Sequence, residues 1–457
     1  MINATAKDLR SFCKLLMTRH LSGSSLFVKS GAAFLDQAII SSANFVTAIV
    51  LMKTVPTEEY GYYSIAFAAS LFLVSLQNAV VTTPLAVLLA SKSGEEKDDY
   101  AGALYWGQII SIIPAAALGV TATGILYVLG IDDIKVLTIG SVCFAAVGIL
   151  LREFSRAYYF AKQSPFTVLL LDSCYTLIYL ALIGLAYSSF RITAPLPFII
   201  MGISAIVTSA MVKRRTWKFR WAAIRESYRE HWPFAKWSLT GVLVTHVQSY
   251  CTLYLTGTLL GSSAAGNVAA SRLPLTPMAL VQTGWNKVAV PRGAHLREAG
   301  QLRQFLKEQI WVTTIVATAV VAYVALLLMS ADFLKRVLFH KGYEGALDFI
   351  GFWAAINIAV FAGLTASAGL QVMKEFGAIT KINSATMVIT LAFNAIFISR
   401  YGIKGGLAAS LLGETLLAAG LWWCLGCRCL REFHQSGDRY GRDILRRMFP
   451  AKKEVQL

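Results

Sequence analysis

The sequence predicts an all-α polytopic membrane protein with about twelve transmembrane helices. Three observations carry that expectation: too little charge for a water-facing surface, a succession of long apolar runs, and a lopsided distribution of lysine and arginine. Of 457 residues, 56% are hydrophobic and 15% charged, against about 25% charged in an average soluble domain. So few polar side chains cannot clothe a surface in water. Lipid accepts such a chain, at about 20 mostly apolar residues per span.

The apolar runs read as spans at 31–52, 62–90, 102–129, 136–159, 165–187, 193–212, 237–260, 264–290, 309–330, 346–371, 377–399 and 404–426. Residues 1–29 precede them, with Lys7, Arg10, Lys14, Arg19 and Lys29 interleaved with Leu9, Phe12, Cys13 and Leu16 at helical spacing. This segment reads as a cytoplasmic amphipathic helix on the membrane surface, and the first span as an uncleaved insertion signal. With the N-terminus inside, eight basic residues fall in outer loops (Lys53, Lys135, Arg191, Lys335, Arg336, Lys341, Arg400, Lys404) and Arg272 falls inside a span. The other 33 of the 42 lie on the inner side. Lysine and arginine gather in loops that stay cytoplasmic, so the count predicts both termini inside. The same bias accounts for the net charge of +17 without a nucleic-acid partner, for which no soluble segment is long enough to build a basic face.

The longest polar interruption, 213–236, divides the spans six and six. The organisation expected is an N-lobe at 30–212, a cytoplasmic basic linker helix at 213–236, a C-lobe at 237–427 and a basic cytoplasmic tail at 428–457. In the linker, Trp217, Trp221, Ile224 and Tyr228 recur at steps of four, three and four, which places them on one helical face. Arg215, Lys218, Arg225 and Arg229 point elsewhere, and Pro233 is expected to end the segment. The face reads as lying on anionic lipid; the plain alternative is a solvated charged loop. A six-plus-six division also suggests parallel repeats. Gly61 and Gly266 each open the second span of their half, and Pro84 and Pro291 each fall near its inner end.

Several segments resemble bacterial polysaccharide (O-antigen-type) flippases of the multidrug/oligosaccharidyl-lipid/polysaccharide (MOP) exporter superfamily. They are KTVPTEEYGYYS at 53–64, EFSRAYYFAK at 153–162, LGSSAAGNVAASRL at 260–273 and YGIKGG at 401–406. The family often has an aromatic after the glycine of the eighth span, where this chain has Asn267. The resemblance implies two six-helix lobes around a central, cationic cavity in a bacterial inner membrane. It implies alternating access that carries an undecaprenyl-pyrophosphate-linked oligosaccharide outward, coupled to a cation gradient. Membrane lipids are implied as partners, together with polysaccharide polymerase and chain-length machinery; no cofactor and no catalytic residue are expected. Drug exporters of the same superfamily share the architecture and form the first alternative. A membrane-embedded sugar polymerase or ligase is the second, disfavoured because every outer loop is short.

Charge inside a span costs about 2.5–3.5 kcal/mol on insertion scales, so it faces a cavity or a partner. Arg272, about eight residues into the eighth span, is the first substrate-binding candidate, since its planar fork suits a pyrophosphate. The plain alternative is a buried pair with a carboxylate. Arg152 and Arg156 share a face of the fourth span, near Tyr159, and are expected to receive the anion first or to snorkel into head groups. Lys287 reads as an anchor. Glu414, Asp36 and Asp172 are the cation-coupling candidates, because a buried carboxylate alternately exposed to two sides takes up and drops a proton. His246 reads as a hydrogen-bonded core residue before a proton relay. Nine amides (Gln37, Asn44, Gln77, Asn78, Gln282, Asn286, Asn357, Gln371, Asn394) suit either interhelical bonds or a wet cavity. Cys424, Cys427 and Cys429, with His434 beyond, leave a helix with no knuckle around them and read as packing, not a zinc site.

Overall fold

A computed structural model describes residues 26–435 except 90, 91, 132, 190, 191, 213–216, 339–342 and 344. The amphipathic segment expected at the N-terminus lies outside the described residues up to residue 25, and the basic tail from residue 436 onward. In chain order the helices are α1 (Leu26–Thr54), α2 (Thr57–Leu88), α3 (Gly94–Val128), α4 (Ile134–Ala161), α5 (Pro165–Ser189), α6 (Leu196–Ala210), α7 (Trp221–Leu259), α8 (Ser262–Arg272), α9 (Thr276–Glu298), α10 (Leu302–Met329), α11 (Ala331–Leu338), α12 (Ile350–Val372) and α13 (Phe376–Gln435). Among the described residues there is no strand. In hydrocarbon a helix satisfies its own backbone, which is why long apolar runs end up this way.

Eight of these segments are long and apolar enough to cross a membrane. One of them, α13, is two helices joined at Gly402, whose φ of 62° and ψ of −146° no side chain favours. The 15-residue apolar α6, the second half of α7, and α8 with α9 complete the twelve. The last of these is discontinuous. α8 stops at Arg272, a 3₁₀ turn holds Leu273–Leu275, and α9 resumes at Thr276. Pro274 and Pro277 supply no amide hydrogen there, and the Tyr323 hydroxyl donates to the freed Pro274 carbonyl at 2.8 Å.

The chain forms two compact units. The first comprises residues 1–47 and 69–239, the second 48–68 and 240–457. In the first, Leu85, Tyr105, Phe154, Tyr158 and Trp217 build a buried cluster from α2, α3, α4 and the segment before α7. Gly148 of α4 and Gly202 of α6 bring those helices close: a Cβ on Gly148 would stand 2.4 Å from the Gly202 carbonyl oxygen. α2 carries a π turn at Asn78–Thr82 just before Pro84.

The linker aromatics turn out otherwise than expected. The helix begins at Trp221, so Trp217 precedes it and packs on protein, its ring 5.1 Å from Tyr105, 5.6 Å from Phe154 and 4.9 Å from Tyr158. Ile224 is buried, and Tyr228 lies where a Cβ on Gly107 would be. Trp221 alone of the four points out, 61% exposed. The amphipathic pattern marks an apolar face but does not distinguish a protein surface from lipid. Nor does Pro233 end the helix, which runs on to Leu259; the carbonyl it leaves unbonded, at Arg229, lies on the exposed side, where water serves it.

In the second unit, Phe305, Leu306, Leu370, Leu421, Leu425 and Cys429 form a buried core between α10, α12 and α13. The start of α2 crosses the start of α8 with almost no side chain between them. A Cβ on Gly61 would come 1.8 Å from the Ser262 carbonyl oxygen, and one on Gly266 would come 2.4 Å from that of Thr57. Thr57 and Ser262 each stand four residues before their own glycine, so the contact is reciprocal. This gives the paired glycines of the two halves a shared physical role. Tyr60, beside this crossing, meets the Tyr343 ring edge-on at 5.8 Å.

Candidate functional site

Each unit carries charge within its membrane helices, buried in the first and exposed at Arg272 in the second. In the first, α4 presents Arg152 and Arg156 on one face, with Glu153 between them. Arg152 Nη2 lies 2.7 Å from Asp172 Oδ1 of α5, and Arg156 Nε lies 2.6 Å from Oδ2. Arg156 Nη2 also reaches Asp36 Oδ2 of α1 at 2.8 Å, while its Nη1 meets Glu153 at 2.7 Å. The Arg152 guanidinium sits 3.9 Å above the Tyr175 ring. Asp36 and Asp172 are 1% and 0% exposed, so water contributes little to holding their charge.

Three carboxylates thus face two guanidiniums, and with all five ionised the cluster keeps one negative charge. An unbalanced charge in such surroundings costs far more than its neutralisation by a proton or a small cation. Asp36 Oδ1, buried with no hydrogen-bond donor beside it among the described residues, is the oxygen left over. The structure therefore brings together four residues that the sequence assigned to two roles, Arg152 and Arg156 with Asp36 and Asp172. It adds Glu153, which sequence reasoning passed over although its place between the two arginines was the available signal.

In the second unit the charge gathers at the break between α8 and α9. Arg272 ends α8, where the negative end of the helix dipole suits a cation. Its side chain is exposed, and among the described residues no carboxylate lies within ion-pair distance of it. Instead the guanidinium lies 5.4 Å from the Trp353 ring centroid and 5.8 Å from that of Tyr250. Trp353 is fixed by donating to Ser271 Oγ at 2.9 Å. The Glu414 side chain, on α13, accepts from Gln248 at 3.3 Å and lies within electrostatic reach of Arg272. The buried-pair alternative for Arg272 is not what the structure contains.

His246 packs against Tyr250 and has its Nε2 3.0 Å from the Tyr254 hydroxyl, which is the bonded arrangement expected of it. Gln77 and Asn394 act between helices: Gln77 donates to Gln108 and to the Leu150 carbonyl, both at 2.6 Å, and Thr252 donates to Asn394 at 2.8 Å. Gln282 donates to Asn357 at 3.3 Å. Cys429 is part of the core, and Cys424 and Cys427 are half-buried. The side chains of Asn286, Lys287 and His434 lie outside the described residues. Tyr250, Tyr254 and Trp353 went unread in the sequence; the four-residue spacing of His246, Tyr250 and Tyr254 was the signal.

A family model described as polysaccharide biosynthesis protein matches residues 50–348. No curated protein matches the chain by sequence. The fold is similar to that of an inward-facing multidrug resistance MATE family transporter of the MOP superfamily, with a TM-score of 0.64, 13% identity, and 96% of this chain and 99% of that one covered. It is similar to the lipid II flippase MurJ in an inward closed conformation, with a TM-score of 0.62, 15% identity, and 87% of each chain covered. A third likeness is to a MOP superfamily transporter from Pyrococcus furiosus, in which a reversed polarity of the binding pocket suggests a different function. Its TM-score is 0.61 at 14% identity, with 87% of this chain and 94% of that one covered. At these identities the likeness is one of fold, a multi-pass membrane transporter architecture.

Proposed function

Because this chain belongs to the polysaccharide biosynthesis protein family, we propose that it translocates a lipid-linked oligosaccharide, borne on undecaprenyl pyrophosphate, across the bacterial inner membrane by alternating access. The observation that carries the proposal is Arg272. An exposed guanidinium with no carboxylate at ion-pair distance among the described residues, set at the break of a membrane helix, is costly in hydrocarbon and useful to an anion. Discontinuous membrane helices are where transporters of other folds hold charged substrates. A pyrophosphate head group, which cannot enter hydrocarbon unaccompanied, finds in Arg272 a planar bidentate donor.

Coupling falls to the carboxylates in this account. Uptake of a proton by Asp36 or Asp172 balances the first unit's cluster and releases a guanidinium of Arg156 or Arg152, which then becomes a second cationic contact for the substrate. Glu414, beside Arg272, is the corresponding acid of the second unit. Both termini face the cytoplasm, and the protein works alongside a polymerase and chain-length machinery that consume the exported glycan.

Deletion of the gene tests the reading. The expected result is loss of surface glycan with the lipid-linked oligosaccharide accumulating on the cytoplasmic leaflet, restored by the wild-type chain. Unchanged surface glycan together with altered tolerance to cationic drugs would favour a drug exporter instead. Accumulation of short glycan chains on the outer leaflet would point to a polymerase.

A further inference from the structure

Beside Arg272, α7 carries three rings at steps of four residues, His246, Tyr250 and Tyr254. They form a closed aromatic cluster. His246 and Tyr250 stack with centroids 4.7 Å apart at 28°, and Tyr250 and Tyr254 follow at 6.4 Å. The hydrogen bond between His246 Nε2 and the Tyr254 hydroxyl, 3.0 Å long, ties the two ends together. The His246 and Tyr254 centroids lie 6.0 Å apart, so the three rings close into a compact triangle. Tyr250 and Tyr254 are half-exposed and His246 is buried, so the two phenols offer surface and the imidazole braces them.

We infer that this ring cluster is the glycan subsite, against which the sugar next to the pyrophosphate packs while Arg272 holds the phosphates. The inference rests on the lipid-linked oligosaccharide reading above. Position is the first argument. The reducing-end sugar is covalently attached to the pyrophosphate, so it must lie within one ring of whatever binds the anion. Tyr250 is that ring, with its centroid 5.8 Å from the guanidinium carbon. Environment is the second. Arg272 is exposed, and an exposed guanidinium within a span faces water and not lipid tails; the ring it touches shares that environment. Chemistry is the third. A pyranose has an apolar C–H face and an equatorial rim of hydroxyls. A tyrosine presents an apolar ring face and a hydroxyl at its tip, so each ring meets both parts of a sugar. A drug-sized apolar ligand instead asks for a concave pocket that buries most of its surface, which a ring cluster on one helix does not provide.

The test is a binding measurement on the full chain in nanodiscs with two probes, undecaprenyl pyrophosphate and an undecaprenyl-pyrophosphate-linked trisaccharide of neutral hexoses. The wild type is expected to bind the glycosylated probe more tightly by about tenfold, the worth of two modest ring contacts. Tyr254→Leu should remove most of that difference and leave affinity for the bare probe unchanged. Tyr254→Phe, which keeps the ring and loses the hydroxyl, should fall between. Equal wild-type affinity for both probes overturns the glycan subsite. So does a Tyr254→Leu protein that binds both probes less well with a lowered melting temperature, which marks a structural ring. Failure of the wild type to bind either probe overturns the lipid-linked reading itself.

Discussion

Arg272 and the α4 arginines hold the same charge in opposite circumstances. Arg152 and Arg156 are spent on Asp172, Asp36 and Glu153, whereas Arg272 lies over ring faces with no carboxylate at ion-pair distance among the described residues. Substitution at Arg272 should therefore spare folding and cost transport. Lysine keeps the charge without the fork, so Arg272→Lys is expected to lower transport about tenfold and Arg272→Ala about a hundredfold or more, corresponding to about 1.4 and 2.7 kcal/mol. Protein abundance should stay level in both; a fall in abundance on Arg272→Ala would mark the residue as structural. The acids of the first unit should behave differently from one another. Asp172 accepts from two guanidiniums, and removing it strands both, a loss of about 3–5 kcal/mol for a broken buried pair. Asp36 takes one guanidinium bond and has an oxygen to spare. Asp36→Asn, which mimics the protonated acid, should leave the melting temperature close to wild type yet abolish the response of transport to an imposed pH gradient, with passive exchange intact. A full response in that variant would move coupling to Glu414.

The crossing of α2 and α8 depends on two glycines, and helices this close in a membrane gain their association from small residues and not from a hydrophobic drive. Gly61→Ala puts a methyl group into the Ser262 backbone, which cannot swing aside as a side chain does. It should lower the melting temperature clearly, while Gly241→Ala, with nothing within 4 Å, should not. Equal behaviour of the two would show that the crossing carries no stability. The segment before α7 makes a similar contrast. Trp217→Ala should cost about 3–5 kcal/mol, the usual toll for deleting a buried aromatic, whereas Trp221→Ala, largely exposed, should be close to neutral for folding. Much of this level was legible beforehand. Gly61 and Gly266 stand out in the sequence as a pair, and Arg152 and Arg156 as neighbours on one face. The sequence pattern could not show that Gly61 and Gly266 touch, nor that Asp36 and Asp172, far away in the chain, close on the same arginines. Contacts between helices distant in sequence have no periodicity to announce them. Trp217 illustrates the converse, an apolar face whose partner was misjudged because lipid and protein attract it alike.

At the scale of the whole molecule, composition and charge placement lead to a multi-pass helical membrane protein, because hydrocarbon leaves a backbone few options. Charge placement also predicts an orientation. Cysteines introduced at 225 and in the C-terminal tail should resist an impermeant thiol reagent in intact cells, and one at 342 should react; labelling at 225 from outside would overturn the inward linker. What the glycan is cannot be read from a dozen apolar runs, since the contacts that recognise it occupy few positions. The measurement that bears most directly on the account is the sidedness of a lipid-linked oligosaccharide in vesicles containing the purified chain and no other protein. The account predicts that an undecaprenyl-pyrophosphate-linked oligosaccharide placed in one leaflet becomes accessible to a glycan-cleaving enzyme on the other side, faster than in empty vesicles, with its chain length unchanged. It predicts that Arg272→Ala vesicles behave as empty ones. Transfer no faster than in protein-free vesicles, from chain that is folded and inserted, would contradict it.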